Sequence, residues 1–324
     1  GLPNDQLSRK PSGSHICFRD TIGMNSFVAW MNGQLLPFSE MALPVWDLGV
    51  VAGASITEMA RTFNHRAFRL PDHINRLLNS CSELGFSAPY SPQQLLNAAE
   101  EVVAANESQI AASDDLGIVI FITAGANRTY LGAGELPGPT VGIHTFRLPF
   151  EIWQTACQQG VRLAIPDRIQ ISTASLPVES KTRNRLHWWL ADKEADAKLP
   201  GAKALLLDTS GFITETSTSC FYGVIAGSIV TPQANVLNSM SRRMVKEAAA
   251  EFGIPFIERN LQRSDINNMT EVFTSSTPVG LLPVRSIDDR QFPVNSADSL
   301  VPKLLTFWQH QTGICLRQQI LKHA

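Results

Sequence analysis

The first regular pattern along the chain is "SFVAWMNGQLLPF" (26–38), where apolar and polar residues alternate on either side of Asn32-Gly33. Alternation puts every second side chain on one face of a strand, and an Asn-Gly pair suits the tight turn of a hairpin. "ASITEMARTFNHRAFRL" (54–70) predicts two further strands joined through Asn64-His65. The period then changes. In "DHINRLLNSCSELGF" (72–86) apolar residues fall at 74, 77, 78, 81 and 84, the spacing of one helix face, with Asp72 as the cap. "SPQQLLNAAEEVVAANE" (91–107) predicts a second helix, and the apolar run "LGIVIFITAG" (116–125) a buried strand. "ANRTYLGAGELPGPT" (126–140) breaks all regularity with glycine and proline, and predicts a long loop.

Beyond "LPFEIWQT" (148–155) the alternation of elements starts afresh. "GVRLAIPDRIQI" (160–171) and "AKALLLDTSGFITET" (202–216) read as strands, the latter turning at Thr209-Ser210-Gly211. "SCFYGVIAGSIVTP" (219–232) reads as a hairpin, and "NSMSRRMVKEAAAEFG" (238–253) as a helix that Gly253 ends. "EVFTSSTPVGLLPV" (271–284) is a strand running into a hydroxyl-rich turn. Hairpins dominate both halves, which points to a mixed α+β chain of two domains rather than a doubly wound sheet. Accordingly, no GxGxxG is present; Gly132-Ala133-Gly134 with Gly138 has the wrong spacing. The divisions expected are an N-terminal extension over 1–25, a small α/β domain over 26–149, a linker over 150–155 and a large domain over 156–324. The extension is polar and rich in turn formers, so it is expected to fray or to lie as an arm on a neighbour, and Met24 could be an internal start.

Composition narrows the class. With 324 residues, 44% of them hydrophobic, the chain can bury a large core. A formal net charge of -2 without basic blocks argues against nucleic acid as the main partner. The five cysteines are widely spaced with no CxxC, a pattern that suits reduced thiols in the cytoplasm. The seven histidines show no metal-ligand spacing, so no metal is expected. No apolar run approaches the ~20 residues that span a bilayer.

Charge is nevertheless crowded at one place, "PVESKTRNRLHWWLADKEA" (177–195), where Lys181, Arg183 and Arg185 fall within five positions. A free lysine has a pKa of ~10.4, and only the neutral amine is a nucleophile. Burial and neighbouring cations both favour that neutral form, the condition for a lysine that makes a Schiff base; a solvated basic stretch is the bland alternative. Trp188 and Trp189 behind it are expected to pack. Elsewhere, the start of "NSMSRRMV" offers helix N–H groups to a phosphate, and "TSST" (274–277) offers hydroxyls at a strand end. Ordinary capping and a plain turn would explain them equally. Glu215 in "FITETSTSCF" sits where alternation buries it, and a buried carboxylate demands a partner.

Taken in order, Lys181, "LLLDTSGFITETSTS", "IVTP…VLNSMSR" and "EVFTSSTPVGLLPVRSID" resemble the fold-type IV pyridoxal-phosphate enzymes. These are the branched-chain aminotransferases, D-amino acid aminotransferases and aminodeoxychorismate lyases. "WMNGQLLPF", "WDLGVVAG" and "FRLPDHINRLLNSC" are similar to that family's N-terminal signatures, so the resemblance spans roughly residues 26–305. It implies a small N-terminal α/β domain and a larger C-terminal domain with a barrel-like sheet. Pyridoxal 5'-phosphate would be the cofactor, and the assembly a homodimer. The resemblance also implies that Lys181 holds the cofactor and shuttles a proton, and that Glu215 pairs with the ring nitrogen. Arg76, Met240, Ser241 and Thr277 would bind the phosphate, and Leu237 would pack on the ring. Substrates would be a small amino donor and a 2-oxo acid acceptor.

Several substrate-side positions depart from the branched-chain pattern: Leu186, Ala52, Thr57, Cys220, Pro278 and Val119. Arg128 in "GANRTY" could grip a carboxylate in place of an arginine at 119, with Tyr130 beside it. The expected activity is an aminotransferase. A lyase that releases pyruvate is the first alternative, and a family member that binds without turnover the second.

Overall fold

The computed structural model describes residues 26–322, so the expectation for residues 1–25 lies outside the described residues. A first sheet of six strands is built from β1 (Val28–Met31), β2 (Gln34–Pro37), β3 (Ser55–Phe63), β4 (Arg66–Ala67), β5 (Leu116–Thr123) and β6 (Val141–Arg147), in the order β2-β1-β6-β5-β3-β4. All its pairings are antiparallel. Both hairpins turn where expected: Asn32 and Gly33 have φ of 47° and 95°, and Asn64 and His65 have φ of 50° and 62°. Two left-handed residues in succession match the strand twist.

One face of this sheet is covered by α2 (Leu70–Leu84) and α3 (Pro92–Asn106). Ile56 and Ala60 of β3, Ile118, Ile120 and Ile122 of β5, and Val141 and Ile143 of β6 pack there against Ile74, Leu77, Leu95 and Val102. Because side chains alternate, Thr57, Met59, Val119, Phe121 and His144 belong to the opposite face. That face looks toward the rest of the chain. Asp72 is not the cap of α2. The helix begins at Leu70, and Arg69 holds the cap position in a left-handed conformation with φ of 52°. Asp72 falls in the first turn, where a carboxylate suits the helix dipole. In α3 the cap is Ser91, in a full capping box with Gln94.

The second sheet has nine strands. Its path is β12 (Phe256–Arg259), β11 (Ser228–Pro232), β10 (Cys220–Ile225), β13 (Glu271–Ser276), β14 (Gly280–Ile287), β7 (Val161–Ala164), β8 (Lys203–Leu207) and β9 (Ile213–Thr216), with β15 (Arg290–Gln291) added to β14. The sheet curls until its ends meet: the Ile213 N–H donates to Leu261 O at 2.8 Å and Phe212 bridges Gln262. Leu163, Leu205, Phe221, Val230, Val272 and Val284 fill the curl. Outside it, α7 (Met240–Glu251) and α8 (Leu300–Thr312) pack Met244, Val245, Leu304 and Trp308 onto Tyr222 and Phe273. The strand expected over 160–171 stops at Ala164, because Pro166 has no N–H for the ladder. The expected loop 126–140 contains one turn of helix, α4 (Arg128–Leu131), capped by Asn127. A further short helix, α1 (Leu48–Val51), precedes β3.

Residues 150–155 form the first part of α5 (Phe150–Gln159). α6 (Leu186–Lys198) packs Trp188, Ala191 and Ala195 on Ala164, Ala204 and Leu206. Trp189, expected to pack, is 58% exposed on the far side of that helix.

Between the two sheets lies Arg61, only 1% exposed. It donates to Pro278 O and to Oε1 of Gln319 in α9 (Leu316–Leu321), each at 2.9 Å, and pairs with Asp115 at 3.4 Å. A buried guanidinium without such partners would cost several kcal/mol, so this cluster fixes how the first sheet meets the turn at 277–278.

Candidate active site

Lys181 belongs by sequence to the second half, yet its backbone is bonded to the first sheet. Thr57 N–H donates to Lys181 O and Arg183 N–H donates to Ser55 O, both at 2.8 Å, with Thr182 opposite Ile56 in an antiparallel bridge. Residues 181–183 therefore dock as a short strand on the edge of β3 that β4 leaves free. Opposed residues share a face, and Ile56 points at the helices. Lys181 and Arg183 must then project from the other face, beside Thr57 and Phe121. Lys181 is half-buried as a residue.

Burial is the largest influence on the Lys181 amine and draws its pKa down to about 8. Arg76 and Arg185 push it in the same direction, whereas Glu58 and Glu215 oppose them. The crowding in the sequence is thus only part of the cause. Arg185 acts on the lysine, donates to Ser217 O and lies over the Trp188 ring. Arg183 instead stacks on Phe121, its Cζ 4.5 Å from the ring centroid.

Glu215, in the middle of β9, is 8% exposed. Both its oxygens accept from Leu237 N–H at 3.2 Å. Burial raises its pKa to about 7, against the pull of that N–H, Arg185 and Lys181. A carboxylate so placed lacks a close cation. Leu237 itself is half-buried in the loop ahead of α7.

Arg76, on α2, is held differently. Its Nε and Nη2 donate to the two oxygens of Glu58 at 2.6 and 2.7 Å, and its Nη1 donates to Asn238 O at 2.6 Å. This is a bidentate fork that also reaches the loop before α7. Nδ1 of His73, one turn back, lies 2.8 Å from Glu58. Despite burial, Arg76 and His73 bring Glu58 down to about 2. At the N-terminus of α7, Ser239 caps Ser241 N–H at 3.2 Å, and a hydroxyl chain runs from Ser239 to Ser241 (2.8 Å), Ser275 (2.9 Å) and Tyr222 (2.9 Å). Met240, Ser241, Ser276, Thr277 and His73 line one small cavity between the two sheets.

Of the residues expected to act together, then, Met240, Ser241 and Thr277 share a cavity, Arg76 reaches the adjoining Asn238, and Lys181 and Glu215 influence each other electrostatically. Arg128 and Tyr130 stand apart on α4. Arg128 donates to Gly132 O of its own loop at 3.4 Å, and Tyr130 is 64% exposed. Sequence patterns do not single out Glu58, His73 or Tyr222, whereas Ser275 lies within the hydroxyl cluster at 274–277. Glu58 did carry a signal, being an acidic residue on a strand face otherwise filled by Ile56 and Ala60. Among the described residues no cluster of His, Cys, Asp or Glu could hold a metal ion. No described helix is long and apolar enough to cross a membrane.

Residues 55–287 match the family model for class IV aminotransferases. Across 293 residues the chain is 28% identical to a probable branched-chain-amino-acid aminotransferase of Rickettsia felis, covering 90% of this chain and 93% of that one. It is 27% identical to the D-alanine aminotransferase of Bacillus licheniformis over 283 residues, 86% of this chain and 95% of the other. In structure it is similar to the branched-chain amino acid aminotransferase of Escherichia coli, with a TM-score of 0.79 and 23% identity, covering 89% of this chain and 94% of that one. The two curled sheets thus have the fold of the type IV enzymes. The chain belongs to the class IV aminotransferase family and works with pyridoxal phosphate.

Proposed function

We propose that the chain moves an amino group from a small aliphatic amino acid, or a related amine, to a 2-oxo acid, with Lys181 as the residue that holds the cofactor. The observation that carries this reading is a half-buried lysine whose amine is brought down to about 8 under the influence of two buried carboxylates of opposite protonation preference. Pyridoxal phosphate, when bound, supplies an aldehyde for a neutral amine and a ring that withdraws electrons from the substrate's reacting carbon. The donor set fits it. Glu215, short of a cation, would accept a hydrogen bond from a protonated ring nitrogen. Arg76, the N-terminus of α7 at Met240 and Ser241, and the Thr277 hydroxyl would hold the phosphate, and Leu237 would pack on the ring.

Lys181 has two tasks in sequence. Its neutral amine would hold the cofactor and, once free, would take the proton from the substrate carbon and deliver it to the cofactor carbon. Thr57, Met59, Val119 and Phe121 offer a mostly apolar wall, suited to an aliphatic side chain. The names of the relatives in Rickettsia felis and Bacillus licheniformis agree with such substrates. Arg128 and Tyr130 are assigned to the substrate from the α4 loop.

The proposal extends to a chain divided into domains at 150–155 that works in the cytoplasm as a homodimer. Val45, Val50, Val51, Tyr130 and Leu131 are exposed on segments tied together by Asn127 N–H to Trp46 O at 2.9 Å, and a second copy would cover them. Light scattering on purified protein should give twice the chain mass.

Borohydride reduction of the cofactor-loaded protein, digestion and mass spectrometry should find the cofactor on Lys181. A label on another residue, or none, overturns the site. Donor-by-acceptor assays should show turnover that needs both partners.

A further inference from the structure

Arg183 is a cation without a counter-ion in the region where the chemistry is placed. Its side chain is exposed, it stacks on Phe121, and it forms no ion pair with the described residues. The backbone explains its direction. Residues 181–183 are extended along β3, so Lys181 and Arg183 project from one face about 7 Å apart along the strand. The surrounding face offers no rival anion: Thr57, Met59, Val119 and Phe121 carry no charge. His144, opposite Val119, is pushed down to about 4, first by burial and then by Arg183, so it is neutral at working pH. Its Nδ1 is buried without a partner. Stacking on Phe121 holds the guanidinium plane and leaves its N–H edge for a ligand.

An amino acid whose nitrogen is handed over at Lys181 carries its carboxylate only two bonds away. We propose that Arg183 grips the α-carboxylate of the amino acid and 2-oxo acid substrates, an assignment that rests on the aminotransferase reading above. It deepens that reading by making substrates with a carboxylate beside the reacting carbon the preferred class over simple amines. It also moves the inner grip from Arg128, whose guanidinium turns to its own loop, to a residue two positions from the lysine.

The test uses full-length, cofactor-loaded protein and hexanoate, a carboxylate that cannot react, with hexanamide as its neutral counterpart. Wild-type protein should bind hexanoate by calorimetry and ignore hexanamide. Arg183→Met should weaken hexanoate about 10²-fold, and Arg183→Lys should recover part of the loss. The preference in kcat/KM for an amino acid over butan-2-amine should fall with it. Arg128→Met should weaken hexanoate less than Arg183→Met does. The borohydride-fixed adduct on Lys181 should form equally in wild type and Arg183→Met, which shows that the variant is folded and loaded. Unchanged hexanoate affinity in Arg183→Met, or a loss that appears in Arg128→Met instead, overturns the assignment and leaves the aminotransferase reading standing. No adduct in the wild type overturns that reading, and this assignment with it.

Discussion

Glu58 and Glu215 are both buried glutamates that act on Lys181, and their surroundings could hardly differ more. Glu58, 1% exposed, is gripped by Arg76 and His73 and sits at about 2. Glu215, 8% exposed, has one backbone N–H shared between its oxygens and sits at about 7. Burial opposes charge at both positions. At the first the protein supplies the Arg76 guanidinium and the His73 ring from α2; at the second it supplies no such partner. A finished ion-pair network is a brace, whereas a buried carboxylate left short of a cation is a receptor for one. The contrast sorts structural from ligand-facing acid without reference to any relative.

The largest effect should come from breaking the finished pair. Glu58→Gln leaves the buried Arg76 without its counter-charge, and should lower unfolding stability by about 3 kcal/mol in a urea titration. Glu215→Gln should do the reverse. It removes a poorly compensated charge, so stability should hold or rise while transamination falls about 10²- to 10³-fold. Equal destabilisation by the two substitutions would end the distinction drawn here.

Acidity should separate the two sites next. Glu58 is lowered from 4.5 to about 2, so its contribution to stability is full above pH 4.5 and disappears as pH falls toward 2. Glu215 is raised from 4.5 to about 7, so its contribution is full below pH 4.5 and is lost as pH rises through 7. Without cofactor, the second loss amounts to about 3 kcal/mol by the linkage of one pKa unit to ~1.4 kcal/mol. If Glu215 holds the cofactor ring as proposed, cofactor binding should reduce it, because a ring N–H would supply the missing partner. Thermal melts should therefore show a gap between loaded and cofactor-free protein that widens from pH 4.5 to 7, and that stays constant in Glu215→Gln.

How much of this the sequence discloses follows from the range of the forces. Hairpins at Asn32-Gly33 and Asn64-His65 and the helix closed by Gly253 are local, and so legible. The start of α2 is not, because a left-handed Arg69 is stabilised by a contact with Glu247, 178 residues away. Lys181 and Glu215 stand out by residue type and pattern. Their environment does not, since it depends on residues 181–183 joining the edge of β3, a pairing between distant parts of the chain. That pairing also decides that Arg185 acts on the lysine while Arg183 stacks on Phe121, although both lie equally close in sequence.

The smallest effect probes that last difference and reads the lysine directly. The rate at which free cofactor attaches should follow the neutral amine, rising with pH through about 8 in the wild type. Arg185→Gln removes a positive neighbour, so protonation becomes easier and the midpoint should move upward by less than about 1 unit. Arg183→Gln should move it less, since its guanidinium is turned toward Phe121. Because burial outweighs both arginines, neither variant should restore the ~10.4 of a free lysine. A midpoint that did return there in Arg185→Gln would make charge, and not desolvation, the source of the lowered amine. The contrast between the two glutamates would then have to be rebuilt on pairing alone.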